Sequence, residues 1–266
     1  MTFGQLWRLI SLSLLCLLLS GCLHMDVVFK VQPDGSGTIT ETMHWPAYHP
    51  LLRQFGGKLP PMSAAKLQAL QERARSLGPG VTVSEQSQAG ADGQVDHTIT
   101  FQVPNFHQLH YALDNKPGQK SQGLQYGFEL VRKAGQPVKL IVNNDPFVIS
   151  LFDQANSPKQ DRDAAAANAN EGVRRFLTTS MQAMAGMALD VRLEFTTEPL
   201  KSTAAFQAGP VATLFHLDVD QLTAKADWQS SMLAQPPRRP AGAPCQHADQ
   251  PGMRVDCQRT IEVWLR

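Results

Sequence analysis

The chain has 266 residues, 42% of them hydrophobic and 18% charged, with 19 glycines and 18 prolines. That is ordinary globular composition, neither disordered nor collagen-like, and long enough for one large domain or two small ones. Its 24 basic and 23 acidic side chains give a formal charge of +1. A nucleic-acid binder needs a basic footprint, and nothing beyond Arg174-Arg175 and Arg238-Arg239 supplies one, so no nucleic-acid partner is expected.

The amino end carries the most information. Arg8 and the free amine form a thin positive region, followed by an almost wholly apolar run over residues 9–19. Eleven residues of helix reach about 16 Å, well short of a hydrocarbon core of about 30 Å. A short apolar run followed by small residues reads as a secretory signal rather than a membrane span. The run ends Leu19-Ser20-Gly21-Cys22. These four positions resemble the lipobox of bacterial lipoproteins. That resemblance implies cleavage between Gly21 and Cys22, with lipid on the Cys22 thiol and the mature domain tethered to a membrane on the exported side. Arg8 is the only charged side chain before Cys22, so the mature part balances at zero. Leu23 follows the cysteine, where an Asp would signal inner-membrane retention in enteric bacteria. In a host with two membranes the expected address is therefore the outer one.

From residue 23 to 31, Leu23, Met25, Val27, Phe29 and Val31 alternate with His24, Asp26 and Lys30, the period of a half-buried strand. Pro33-Asp34-Gly35-Ser36-Gly37 supplies a turn. Residues 38–45 alternate again, with Thr38, Thr40, Thr42 and His44 opposite Ile39, Met43 and Trp45, which completes a β-hairpin. A Pro- and Gly-rich loop leads to a helix over 63–77, whose Leu67, Leu70, Ala74 and Leu77 share a face and which Gly78-Pro79-Gly80 stops. Residues 81–83 and 95–103 read as a second hairpin, with His97 on the side of Val95, Ile99, Phe101 and Val103. Residues 105–113 read as a short helix, and 124–131 with 138–142 as a third hairpin. A polar, alanine-rich stretch over 157–169 runs into a helix bearing Val173, Phe176, Leu177, Met181 and Met184. Strands follow at 191–195 and 211–219, then a loop or short helix over 218–228. A stiff connector at 235–240 precedes a single terminal strand over 253–265, which places Cys257 on the side of Val255, Ile261, Val263 and Leu265.

Local hairpins with helices between them predict an α+β fold with a mainly antiparallel sheet. The expected division is a signal peptide over 1–21, an α+β envelope domain over 22–235 in which two subdomains could meet near 157–170, and, over 236–266, a Pro-rich connector with a C-terminal disulfide-closed hairpin or strand. The hairpin that directly follows the lipidated cysteine, with its Pro-Asp-Gly-Ser-Gly turn, resembles bacterial lipoproteins of the LppM-like type over residues 22–45, with an echo around 194–222. The resemblance implies a membrane-tethered α+β domain that handles lipid or envelope components, and it carries over no catalytic residues.

Cys16 leaves with the signal and Cys22 takes lipid, so Cys245 and Cys257 remain. In an oxidising compartment two cysteines are most simply one disulfide; two free thiols, or a metal pair near His247, are the alternatives. His107 and His110 stand three apart, and His97 could approach them, but no Glu-x-x-His or His-Glu-x-x-His surrounds the three. The sequence therefore assigns them no metal, and surface histidines on an amphipathic helix is the plainer reading. His44 and His49 read as a strand end and a loop. Met181, Met184 and Met187 read as a core-facing helix stripe rather than a copper site. Asp34-Gly35-Ser36-Gly37 lacks the acids of a calcium loop. There is no nucleophile elbow, phosphate loop or dinucleotide motif. Neither a cofactor nor a reaction is expected. The reading is a lipid-anchored domain that binds or positions a lipid, a cell-wall fragment or a partner protein at the membrane surface. A metal-assisted hydrolase using scattered histidines and a structural subunit of an envelope assembly are the alternatives.

Overall fold

In the computed structural model the described residues are 24–60, 62–90, 92–113, 124–144, 171–224 and 248–266. Strands β1 (His24–Val31) and β2 (Gly37–Trp45) form the expected hairpin, paired from Val31 with Gly37 to His24 with His44. Asp34 closes the turn, its Oδ1 accepting from the Ser36 amide at 2.9 Å and the Ser36 hydroxyl at 2.7 Å. Where the chain re-enters the sheet, a Cβ added to Gly37 would lie 1.9 Å from the Lys30 carbonyl oxygen. Gly37→Ala must therefore push the hairpin apart. We expect a loss of about 1–3 kcal/mol, the usual range for overpacking, read from the urea midpoint; an unchanged midpoint would contradict this register.

Helices α1 (Pro50–Gln54) and α2 (Ala64–Leu77) come next. Ser63 caps α2 by accepting from the Lys66 amide, as Ser at an N-cap does. Ala74 and Leu77 are buried, but Leu67 stays 46% exposed, so the buried stripe is narrower than the spacing of leucines implied. Strands β3 (Thr82–Ala89) and β4 (Val95–Val103) make the second hairpin, and β4 pairs with β2.

The helix expected over 105–113 is absent. Gln108 has φ +62°, incompatible with a continuing helix, and the Asn105 side chain caps a turn by accepting from the His107 amide. The segment ends as the short strand β5 (His110–Ala112). It pairs with β6 (Gln125–Val131), which forms the third hairpin with β7 (Val138–Asn144).

Helix α3 (Glu171–Ala183) leads through Met184 and Met187, both packed on the core, to β8 (Ala188–Phe195). After it come β9 (Lys201–Ser202), β10 (Gln207–Ala208), β11 (Val211–Asp218) and the short α4 (Val219–Thr223). The single terminal strand expected over 253–265 is two strands. β13 (Met253–Val255), with β12 (Ala248–Gln250) beside it, lies in one sheet, and β14 (Thr260–Leu265) lies in the other. The break falls at Asp256, fully buried, whose carboxylate accepts from the amides of Ala205 at 2.8 Å and Gln258 at 3.1 Å. Those bonds turn the chain from one layer to the next.

The larger sheet has the order β12-β13-β11-β8-β1-β2-β4-β3, with β10 beside β11, and the smaller the order β5-β6-β7-β14-β9. The α+β expectation holds in this broad form, although the larger sheet is mixed, because β1 and β8 run parallel. Strands from before residue 145 and after residue 171 contribute to both sheets and to one core. The stretch at 157–170, the connector at 235–240, Cys22 and Cys245 lie outside the described residues. The two sheets stack as layers. Between them the Phe29 ring meets the rings of Tyr111 at 4.9 Å, Tyr126 at 5.6 Å and Phe128 at 4.9 Å. Because side chains alternate across a strand, filling the inner face with Val27, Phe29, Val31, Ile39, Phe101, Val191 and Leu193 turns the intervening polar residues outward.

Candidate functional site

One ladder of outward positions crosses the larger sheet with polar residues at every step. In register order it runs Gln86, Thr98, Thr42, Asp26, Asp190, His216, Arg254 and Asp249. One step towards the start of β1, Asp96, His44 and His24 stand abreast. Threonines fill much of this face because they fit a pleated, half-wet surface. The aspartates and histidines collect at its centre, on β1, β2, β8 and β11, and interlock there.

His44 lies between two carboxylates, its Nδ1 2.8 Å from Asp96 Oδ1 and its Nε2 3.1 Å from Asp26 Oδ2. A carboxylate only accepts, so both bonds form together when both ring nitrogens carry protons. Partial burial opposes the charge, but the two carboxylates outweigh it and hold the His44 pKa above the ordinary imidazole value. On the other side of the network His216 Nδ1 lies 2.7 Å from Asp190 Oδ1. Between them His24 Nε2 lies 3.3 Å from Asp190 Oδ2 and 3.7 Å from Asp26 Oδ1, and Arg192 Nη2 lies 3.5 Å from that same Asp26 oxygen. Among the described residues, His24, Asp26 and Asp190 are the group of three whose ligand atoms converge.

An open polar hollow of about 590 Å³ adjoins the network, lined by Asp190, Thr213, His216, Gln221, Gly252 and Arg254 among others. Its floor depends on a close backbone approach. Gly252, at φ +79°, accepts from the Asp218 amide at 2.8 Å, and a Cβ there would sit 2.3 Å from the Leu222 nitrogen.

The histidines singled out from the sequence do not gather. His97 Nδ1 lies 3.0 Å from the Ser87 hydroxyl and 3.3 Å from Glu85 Oε1, on β4, one strand in from the edge strand β3. His107 Nδ1 accepts from the Leu130 amide at 3.3 Å, and His110 stands against Gly127 across the β5–β6 pair. His49 packs edge-on to Trp45, with ring centres 4.6 Å apart. Met181 is buried in the core. Cys257 is buried beside Val255, while its expected partner Cys245 falls outside the described residues. The histidines that do converge, His24, His44 and His216, received no role from the sequence except a strand end for His44. Strand alternation already turned His24 and Asp26 to one side, and a tight turn at Gly35 sets His44 opposite His24. Asp190 and His216 join only through the β1–β8 pairing, which no local pattern announces.

No family model matches the chain, and no curated protein matches it. A solved structure, the NMR structure of the folded domain of LppM from Mycobacterium tuberculosis, aligns over 92% of this chain and 91% of that one, at 10% identity and a TM-score of 0.33. At that TM-score the likeness carries no functional argument, and function rests on this chain's own residues.

Proposed function

We propose that the chain is a lipid-anchored envelope lipoprotein, with lipid on Cys22 and its C-terminal segment closed by Cys245 and Cys257. Its exported α+β domain binds or positions a lipid, a cell-wall fragment or a partner protein at the membrane surface, without a reaction of its own. The observation that carries this reading is the place of β1. It begins at His24, two residues after Cys22, and lies between β2 and β8 inside the larger sheet. Two residues span at most about 7 Å, so the anchor has almost no leash, and the histidine–aspartate end of the outer face is held close to the bilayer. Among the described residues no helix is long and apolar enough to cross a membrane.

Two changes test the reading. Cys22→Ser is expected to lose all fatty-acid label and either keep its signal peptide or leave the membrane, since each buried lipid methylene contributes about 0.8 kcal/mol and two or three chains anchor firmly. Equal radioactive palmitate in the variant and the parent would sink the assignment. Ten Gly/Ser residues inserted between Cys22 and Leu23 would lift the domain by up to about 35 Å, and should impair a function exercised at the surface without altering the fold.

A further inference from the structure

The geometry points to a zinc site at the centre of the outer face, built by His24 Nε2, one oxygen of Asp26 and one oxygen of Asp190. This does not depend on the anchored-domain reading. The argument begins with backbone register. Asp26 and Asp190 are direct partners on the parallel strands β1 and β8, so their side chains leave the sheet side by side. Like charges placed directly opposite one another are unfavourable unless a cation lies between them. His24, two residues earlier on the same face, brings its ring nitrogen over that pair.

The spacing suits zinc. Zinc–nitrogen and zinc–oxygen bonds of about 2.0–2.1 Å in a tetrahedron put neighbouring ligand atoms about 3.4 Å apart. Two of the three edges, 3.3 Å from His24 Nε2 to Asp190 Oδ2 and 3.7 Å to Asp26 Oδ1, bracket that value, and all three ligand atoms lie within 4.8 Å of one another. An octahedral magnesium site would need about 2.9 Å edges and oxygen donors throughout, and an imidazole is a poor choice for it. One nitrogen and two carboxylate oxygens leave the fourth tetrahedral position for water or a ligand from outside.

The second observation is what holds the carboxylates. Each has its other oxygen occupied by a further histidine: His44 Nε2 on Asp26 Oδ2 at 3.1 Å, and His216 Nδ1 on Asp190 Oδ1 at 2.7 Å. Outer partners of this kind fix the orientation of metal ligands and contribute to affinity. They leave free towards His24 the oxygens that a metal would use. Arg192, which touches Asp26 Oδ1, is the group the ion would displace; its side chain is 37% exposed and long enough to swing into solvent.

The test uses the full chain as purified from cells in detergent, stripped with chelator, and titrated calorimetrically with zinc chloride. One equivalent should bind per chain, and cobalt(II) in its place should give the intense visible absorption of a tetrahedral site. His24→Ala and Asp190→Asn should each weaken zinc at least about 100-fold, and His216→Ala about 10- to 100-fold, the range for outer partners. His97→Ala and His107→Ala should bind as the parent does. Zinc should also raise the melting temperature of the parent but not of His24→Ala, a readout valid for any variant that still melts cooperatively. Absence of a stoichiometric site in the parent, or equal weakening by His97→Ala, would overturn the assignment.

Discussion

Arg73→Met is expected to destabilise the protein by about 3–5 kcal/mol, the cost of leaving a buried charge without its partner. Glu41 points inward from β2 and is only 2% exposed, in a face otherwise filled by Ile39 and Phe101. Its carboxylate accepts from Arg73 Nη1 at 2.8 Å, from Arg73 Nη2 at 2.5 Å and from the Tyr111 hydroxyl at 2.7 Å. The Arg73 guanidinium, reaching in from α2, also stacks over the Phe101 and Tyr111 rings. Its own burial works against the charge, but Glu41 more than compensates and keeps its pKa above the usual arginine value. Burial, together with the neighbouring Glu41 charge, pushes the Tyr111 hydroxyl well up, so it stays a donor. The pair also fastens α2 to the sheet. A double variant, Glu41→Leu with Arg73→Met, should recover much of the loss, because apolar replacements of buried ion pairs are often neutral or stabilising. Urea unfolding of the singles and the double measures the coupling. A loss under about 0.5 kcal/mol for Arg73→Met, the level of an ordinary surface change, would mean that Glu41 does not rely on it.

The second large effect is at Phe29. Its ring is fully buried and touches three aromatic rings of the opposite sheet. Phe29→Ala should cost about 3–5 kcal/mol through lost transfer energy and the cavity left behind. Lys30→Ala, at the next position but on the outer face, should cost under about 0.5 kcal/mol. Denaturant midpoints of the two variants give the contrast. Comparable losses would show that β1 does not divide its side chains between core and solvent as described.

The contrast between those neighbours is also the measure of what was legible in the sequence. Alternation at period two exposed both arms of the first hairpin, and Ser63 with Gly78 marked the ends of α2, because these signals are local; β3 (Thr82–Ala89), almost wholly polar and exposed, was legible only at residues 81–83. Two local readings failed for local reasons. Pattern alone continued a helix past Gln108, whose positive φ is set by the turn that Asn105 closes. Pattern alone also ran one strand through Asp256, whose burial is offset by the amide of Gln258, two residues on, and by that of Ala205, far off in the chain. The histidine–aspartate cluster divides along the same line. His24, Asp26 and His44 belong to one hairpin and could be placed together from its turn. Asp190 and His216 depend on pairing between strands far apart in the chain, and the charged residues that mark the cluster also read as an ordinary solvated face.

The parallel junction of β1 and β8 has a kinetic consequence. His24 finds its partner Ala188 only after the intervening chain has been made. Until then β1 and β2 exist as a two-stranded ribbon, which is marginal in water, and Val27, Phe29 and Val31 remain uncovered on one side. Closing so long a loop costs entropy before any contact repays it. Folding of the larger sheet therefore belongs to the slow, non-local class that takes milliseconds to seconds. During that interval the unpaired edge of β1 is open to strands of other chains, so the protein's greatest exposure to misassembly comes before its last third is in place.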